Sequence, residues 1–322
     1  MHRVGVAAGV CSGLGPPGPT FFVFFLSWGP QLIMGAPRWF LLALPSSVAN
    51  LSPAATLVSH YRFDGNTHDS VPGGPAGVIV DFNPGSPTSG LGAGRVGSGS
   101  LRLEFGDYMS TTTAGRPTGD DFDAGTIAFW IKTAPNLTNS QLANVTFMGT
   151  LNSGADQTAY LLGTNGVGNL QLFPRAADGS QSRPRLAPGG NVNTLNREWA
   201  DGQWHHIAIS FSFGPANGST MAQWYINGVA ADTNIAEQLL NSQDIFNPWE
   251  FDMIIGGRNN RGAPDQFLPG GLMLDDIRIY NGVLSPVEIA ALAALPEPSA
   301  ICLLGVGATA LLRSSRRRGQ LW

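Results

Sequence analysis

Cysteine is nearly absent from the 322-residue chain: there are two, Cys11 and Cys302, and each lies in an apolar stretch near one end. The chain between them has none, so no disulfide, thiol chemistry or Cys-ligated zinc site can operate in the folded body. Charge is also scarce. Charged residues make up 12% of the chain, and 18 Lys+Arg against 22 Asp+Glu leave a net charge of −4. That balance excludes nucleic-acid binding through a strong basic field. Six of the 18 basic residues (Arg3, Arg38, Arg313, Arg316, Arg317, Arg318) lie near the ends, so 12 face nearly all of the 22 acids and the body sits close to −10. A Gly-x-Ser-x-Gly elbow is missing as well, which removes the usual serine-hydrolase pattern.

What is abundant is glycine and proline. With Gly 42 and Pro 23, about a fifth of the residues disfavour long helices, which argues for a turn-rich all-β domain and against a helical bundle. Hydrophobic residues at 43% suffice for a core.

The two ends carry addresses. From Met34 onward, Arg38 supplies a basic start, residues 39–44 a short apolar run, Pro45 a breaker and Ser47-Val48-Ala49 a small-residue cleavage pattern, which predicts a signal peptide over 34–49. Residues 1–33 then read as an over-extended start, so 1–49 is leader; a longer leader or a single anchor is the alternative. At the other end Pro296-Glu297-Pro298-Ser299 precedes the apolar residues 301–312 and the cluster Arg313, Arg316, Arg317, Arg318. Twelve apolar residues are marginal for a spanning helix, and the arginines would hold their end on the cytoplasmic side. This order of parts over 296–318 resembles the PEP-CTERM sorting signal of bacterial exported proteins. The resemblance implies an exosortase-type protease as partner, transient membrane insertion of the tail, and cleavage near the Pro-Glu-Pro motif; an ordinary tail anchor is the alternative.

Between residues 50 and 295 the apolar positions alternate. Leu57/Ser59/Tyr61/Phe63, Ile127/Phe129/Ile131, Ile207/Ile209/Phe211 and Ile277/Ile279 follow the period of half-buried strands. Asn227-Gly228 after Trp224-Tyr225-Ile226 signals a tight hairpin. One helix is predicted, near the end, where Ser285-Pro286-Val287-Glu288 combines an N-cap, a first-turn proline and a capping-box glutamate ahead of Ile289, Leu292 and Leu295. Residues 71–94 and 176–190 read as long loops.

Tyr61-Arg62-Phe63-Asp64-Gly65-Asn66 with Asp69, residues 125–132, residues 201–208, residues 224–228, Ile255-Gly256-Gly257 and residues 275–281 together resemble the laminin-G-like branch of the concanavalin A-like lectin/glucanase superfamily. The resemblance implies a jelly-roll sandwich of two antiparallel sheets in which the first and last strands are neighbours. The full expectation is therefore an all-β domain over 50–295 with one short C-terminal helix and apolar tails.

The residues offer three kinds of site. Glucanases of this superfamily carry Glu-x-Asp-x-x-Glu, but here the run Glu250-Phe251-Asp252 reaches Ile255 where the last carboxylate belongs, so the general acid is missing and no catalytic residue is expected. His205 and His206 are adjacent on a strand and point to opposite faces, so they cannot chelate one ion together. Asp64, Asn66 and Asp69 surround a turn after the first strand, and Asp275 and Asp276 lie in the last; if those strands pair, the oxygens could converge on calcium, or else cap turns and buried backbone. Tryptophan faces stack on sugars, which makes Trp130, Trp199 and Trp249 the candidate glycan platforms, while Trp204 and Trp224 sit in core-patterned strands. The function these readings imply is an exported bacterial cell-surface or matrix protein that binds a glycan or extracellular polysaccharide, without nucleic acid and without catalysis. A structural envelope spacer is the first alternative and a glycan-degrading enzyme the second.

Overall fold

The alternating runs of the sequence become strands, except that the first ends at Tyr61 and leaves Phe63 outside it at φ 57°. A computed structural model describes residues 54–81, 89–111, 124–151, 159–175, 183–187, 191, 198–213, 220–236, 253–260 and 263–295, all within the unit Leu51–Trp322. The leader, Trp249, Glu250, Asp252 and the tail motif (Pro296, Glu297, Pro298, Arg313, Arg316, Arg317, Arg318) lie outside the described residues. The elements run β1 (Thr56–Tyr61), β2 (Gly77–Val80), β3 (Gly90–Gly92), β4 (Ser100–Leu103), β5 (Tyr108–Thr111), β6 (Ala124–Lys132) and α1 (Asn139–Leu142). They continue as β7 (Thr146–Leu151), β8 (Ala159–Thr164), β9 (Leu170–Arg175), β10 (Arg183–Leu186), β11 (Trp204–Phe213) and β12 (Thr220–Ile226). The last are β13 (Val229–Ala230), β14 (Thr233–Ala236), β15 (Ile254–Ile255), β16 (Arg258–Asn260), β17 (Ala263–Asp265), β18 (Leu272–Asn281) and α2 (Pro286–Ala293).

Two sheets result. Among the described strands, eight form one sheet in the order β13-β12-β11-β6-β18-β4-β3, with β1 also on β18. Ten form the other, in the order β14-β10-β9-β8-β7-β15-β5-β2, with β16 on β7 and β17 on β16. Pairing is antiparallel except where β16 runs parallel to β7. First and last strands are neighbours, Tyr61 opposite Ile277 and His60 opposite Arg278. The expected sandwich is thus present, with two differences. A second short helix, α1, follows a capping box in which Thr138 and Gln141 serve each other, a polar signal without the apolar period that announced α2. The stretches 71–94 and 176–190 also contain strands: β2, β3 and β10 are three or four residues long, too short for period two to stand out.

The core fills the space between the sheets. Ile127, Phe129 and Ile131 of β6 meet Ile207, Ile209 and Phe211 of β11 on the inner face, against Phe147, Met148, Leu162 and Leu172 of the facing sheet. Each such side chain contributes about 1.5–3 kcal/mol on burial, so residues two apart along these strands decide which face turns inward. A smaller cluster lies on the outside of the eight-stranded sheet, where Ile289 and Leu292 of α2 cover Ala128, Ala208 and Tyr225. The helix starts at Ser285, whose Oγ accepts from the Glu288 N–H while Glu288 accepts the Ser285 N–H at 2.7 Å. The hairpin at Asn227 and Gly228 has both residues at positive φ, 51° and 78°. A Cβ at Gly228 would come within 2.9 Å of the Ala290 backbone, so glycine also lets the helix approach.

Candidate functional site

Neither described tryptophan of the expected glycan set offers an open face. Trp130 shares a rung with Asp275 on β18 and His206 on β11, on the outer face of the eight-stranded sheet. That face is roofed there: the Arg95 guanidinium lies 4.4 Å from the Trp130 ring centroid, the His206 ring meets it edge-on at 5.3 Å, and the indole is 3% exposed. Trp199 sits next to a loop but turns inward, where it packs T-shaped on Phe147 at 5.7 Å in the core. Trp224 is a core residue as expected, and Trp204 is half-buried on the rim of a cleft of about 380 Å³ beside Arg95 and Trp130. Ile255, at the position of the missing glucanase carboxylate, is buried in β15. His205 has Nε2 2.8 Å from Asp201 Oδ1 and Nδ1 3.1 Å from the Asn227 amide nitrogen, while His206 lies against Trp130, so the two rings are held apart by different neighbours.

The five oxygen ligands proposed for calcium do not meet at one point. Asp69 accepts from Ser59 Oγ at 2.6 Å and from the backbone N–H groups of His60 and Val71, which makes it a turn cap. Asn66 caps the same turn through the His68 N–H. Asp276, left-handed at φ 48° in the bulge where β18 shifts register against β6, turns to His60 Nε2 at 2.6 Å and to Arg278. Among the described residues no three His, Cys, Asp or Glu side chains group as a metal site. Asp64 and Asp275 nevertheless share a neighbour. Asp64 accepts from the backbone and hydroxyl of Ser98 and from the Gly99 N–H, and Asp275 Oδ2 accepts from the N–H groups of Arg95 and Val96 at 2.7 and 2.8 Å. The two carboxylates therefore hold the two halves of one loop. Burial pushes Asp64 up, but the Ser98 bonds and the Arg62 guanidinium outweigh it and hold this carboxyl below the usual range. Asp275 goes the other way: burial raises it to about 7 despite the two N–H bonds, and its Oδ1 is buried with no hydrogen-bond partner.

The outer face of the ten-stranded sheet carries recognition chemistry without tryptophan. In β9, Leu170 and Leu172 are buried while Gln171 and Phe173 are partly exposed; in β10, Pro184 and Leu186 are buried while Arg183 and Arg185 are partly exposed. The outward residues meet across the strands. Arg183 lies over the Phe173 ring at 4.7 Å, and Arg185 Nε donates to Gln171 Oε1 at 2.8 Å. Strand β16, parallel to β7, brings Arg258 to the same face, where Asp265 of β17 accepts from its Nε and Nη2 at 2.6 Å each. A cleft of about 260 Å³ is lined by Gln171, Phe173, Arg183 and Arg258 together with Asn144, Thr146, Leu161 and Gln266. It shares Asn144, Val145 and Gln266 with a second cleft of about 520 Å³ that continues past Phe267 to Phe105. Phe105 is 65% exposed, the most open aromatic side chain among the described residues, and it stands at one end of the combined groove. Amides in the middle, an aromatic face at one end and guanidinium groups at the other make a surface that can both stack against a ring and bond its hydroxyls.

Residues 104–290 match the family model described as concanavalin A-like lectin/glucanases superfamily. No curated protein matches the sequence. Among solved structures, the fold is similar to domain 4 of AbnA, a GH43 extracellular arabinanase from Geobacillus stearothermophilus, in complex with arabinotriose: TM-score 0.50 and 22% identity over 74% of this chain and 98% of that one. It is also similar to the botulinum neurotoxin serotype D ligand binding domain in complex with N-acetylneuraminic acid, with TM-score 0.51 and 14% identity over 74% of this chain and 50% of that one. The chain thus spans about half of the neurotoxin domain it matches.

Proposed function

The chain belongs to the concanavalin A-like lectin/glucanases superfamily, and from that premise we propose that it is a carbohydrate-binding domain whose ligand lies in the groove on the outer face of the ten-stranded sheet. The observation that carries this is the groove itself: two clefts joined through Asn144, Val145 and Gln266, with exposed Phe105 at one end and the Phe173–Arg183 pair at the other. Its form suits an extended oligosaccharide better than a single sugar. The resemblance of the fold to domains solved with arabinotriose and with N-acetylneuraminic acid supports a saccharide as the class. Binding without turnover is part of the proposal. The test is retention of the full chain on a polysaccharide panel in affinity electrophoresis, repeated with Phe105→Ala. Retention that Phe105→Ala weakens about tenfold or more, with an unchanged melting temperature, supports the reading, since loss of one stacked aromatic is worth on the order of 1.5 kcal/mol. No retention on any polysaccharide would sink it and favour a ligand-free spacer; release of reducing ends would favour an enzyme.

The address signals extend this reading to an exported bacterial cell-surface protein processed by an exosortase-type protease at its tail. No helix among the described residues is long and apolar enough to cross a membrane. The calcium proposal narrows to Asp64 and Asp275. Buried Asp275 Oδ1 has no partner, and a cation beside it would supply one, with carbonyl groups of the loop between the two carboxylates completing an oxygen set. When bound, calcium would tie that loop to β18 without entering the glycan groove.

A further inference from the structure

The groove's charge runs against that of the rest of the molecule. The body has about ten more acids than bases, yet among the described residues the cleft at the Phe173 end is lined by two guanidinium groups, Arg183 and Arg258, and by no carboxylate. Asp265 is not among the described residues that line the cleft, and its bidentate grip on Arg258 uses only Nε and Nη2. The Nη1 end of Arg258 is taken by no other protein group among the described residues, on a side chain that is 17% exposed. Arg183 has its guanidinium carbon 4.7 Å from the Phe173 ring centroid, a contact that holds the side chain over the ring at this end of the cleft. Two ordered guanidinium groups in one partly desolvated cleft favour an anion, and a planar guanidinium edge matches a planar carboxylate best.

We propose that the saccharide taken by this groove is carboxylate-bearing, a uronic-acid polymer or a similarly acidic sugar chain, with the carboxylate placed between Arg258 Nη1 and Arg183 and the neighbouring ring running toward Gln266 and Phe105. This inference rests on the groove being the glycan site. An attractive field confined to the groove of an otherwise acidic protein also orients an acidic chain, because the remaining surface repels it.

The experiment compares the full chain on polygalacturonate, on linear arabinan as the neutral polymer, and on dextran sulfate as a polyanion without carboxylates. The expected result is an affinity for polygalacturonate at least about tenfold above that for arabinan, weakening several-fold when NaCl rises from about 50 to 300 mM, as screening of a contact ion pair requires. Arg183→Gln should remove most of that preference while leaving the melting temperature unchanged. Arg258→Lys, which keeps the charge but loses the fork, should remove part of it even if Arg258→Gln leaves Asp265 unpaired and the fold weakened. Equal binding of arabinan and polygalacturonate would overturn the acidic class and leave the glycan reading standing. Binding of dextran sulfate as tight as that of polygalacturonate would also overturn it, by showing a charge effect without carboxylate recognition. Binding of none of the three would remove the glycan reading and this inference with it.

Discussion

Two buried groups on one rung of the eight-stranded sheet should give this domain opposing pH dependences that single substitutions can separate. Asp275, fully buried, is raised by burial from 3.8 to about 7, so the folded chain keeps a proton there that the unfolded chain has lost. A raised carboxyl favours the fold at low pH, and its contribution is lost as pH rises from about 4 to 7, at about 1.4 kcal/mol per pH unit and roughly 4 kcal/mol in all. His206, two strands away beyond Trp130, is lowered by burial from 6.5 to about 4, with the nearby Asp276 charge opposing the shift. Here the unfolded chain takes up the proton first, so His206 contributes stability above 6.5 that is lost as pH falls toward 4, at a similar slope and roughly 3 kcal/mol in all. Between about pH 4.5 and 6.5 the two slopes nearly cancel, and the wild type should show a flat profile. Urea unfolding across this window in excess EDTA reads the slopes directly. Asp275→Asn should leave a stability that rises with pH by about 1 kcal/mol per unit, and His206→Phe one that falls by a similar amount. The perturbed groups Asp64 and Glu288 do not interfere, because both are lowered and their contributions fade only below the window. If both variants track the wild-type profile, the two groups are not buried in the protonation states argued for them. Millimolar calcium adds a second arm: bound to ionised Asp275, it should turn the wild-type profile into the rising one of Asp275→Asn. A wild-type profile unchanged by calcium would end the calcium proposal and leave the burial argument intact.

The remaining expectations are simpler. Trp199→Ala, which empties a core position against Phe147, should cost about 3–5 kcal/mol in urea unfolding; a loss of under about 1 kcal/mol together with weakened glycan binding would restore Trp199 as a surface platform. Mass spectrometry of the mature native protein should find no peptide beyond about Ser299, and intact residues 301–322 in the surface form would refute processing and leave a plain anchor.

The parts of the fold that could be read in advance are those whose signal is local. Strands β6, β11 and β18 are long enough for alternation to be unmistakable, the Asn227-Gly228 hairpin and the Ser285/Glu288 capping box each occupy two to four adjacent residues, and all of them appear where the sequence places them. Short β2, β3 and β10 stand out less because three or four residues span at most two repeats of the period. The five oxygens of the calcium set separate for a different reason. Alternation assigns Asp275 and Asp276 to opposite faces, but it cannot foresee the bulge that sends Asp276 to His60 and Arg278, nor that the 94–99 loop would occupy Asp275 and Asp64 together.

The tryptophans misled because residue type states what a side chain can stack on, not whether anything covers it. Trp130 lies on the outer strand face, yet Arg95 from a loop 35 residues earlier roofs that face, and Trp199 joins the core from a loop position. The groove's residues did carry a signal. Gln171 and Phe173 alternate with Leu170 and Leu172, and Arg183 and Arg185 with Pro184 and Leu186, so each short strand has one apolar and one polar side. In a sandwich the polar side of a strand buried on its other side must face outward, and a run of Gln, Phe and Arg there is a surface with recognition chemistry whether or not it contains tryptophan. What no local pattern supplies is the parallel pairing of β16 with β7, which sets Arg258 beside a cleft whose other guanidinium comes from residue 183. The chemistry of the site was therefore written in its strands one side chain at a time, and only the order of strands in the sheet made it a site.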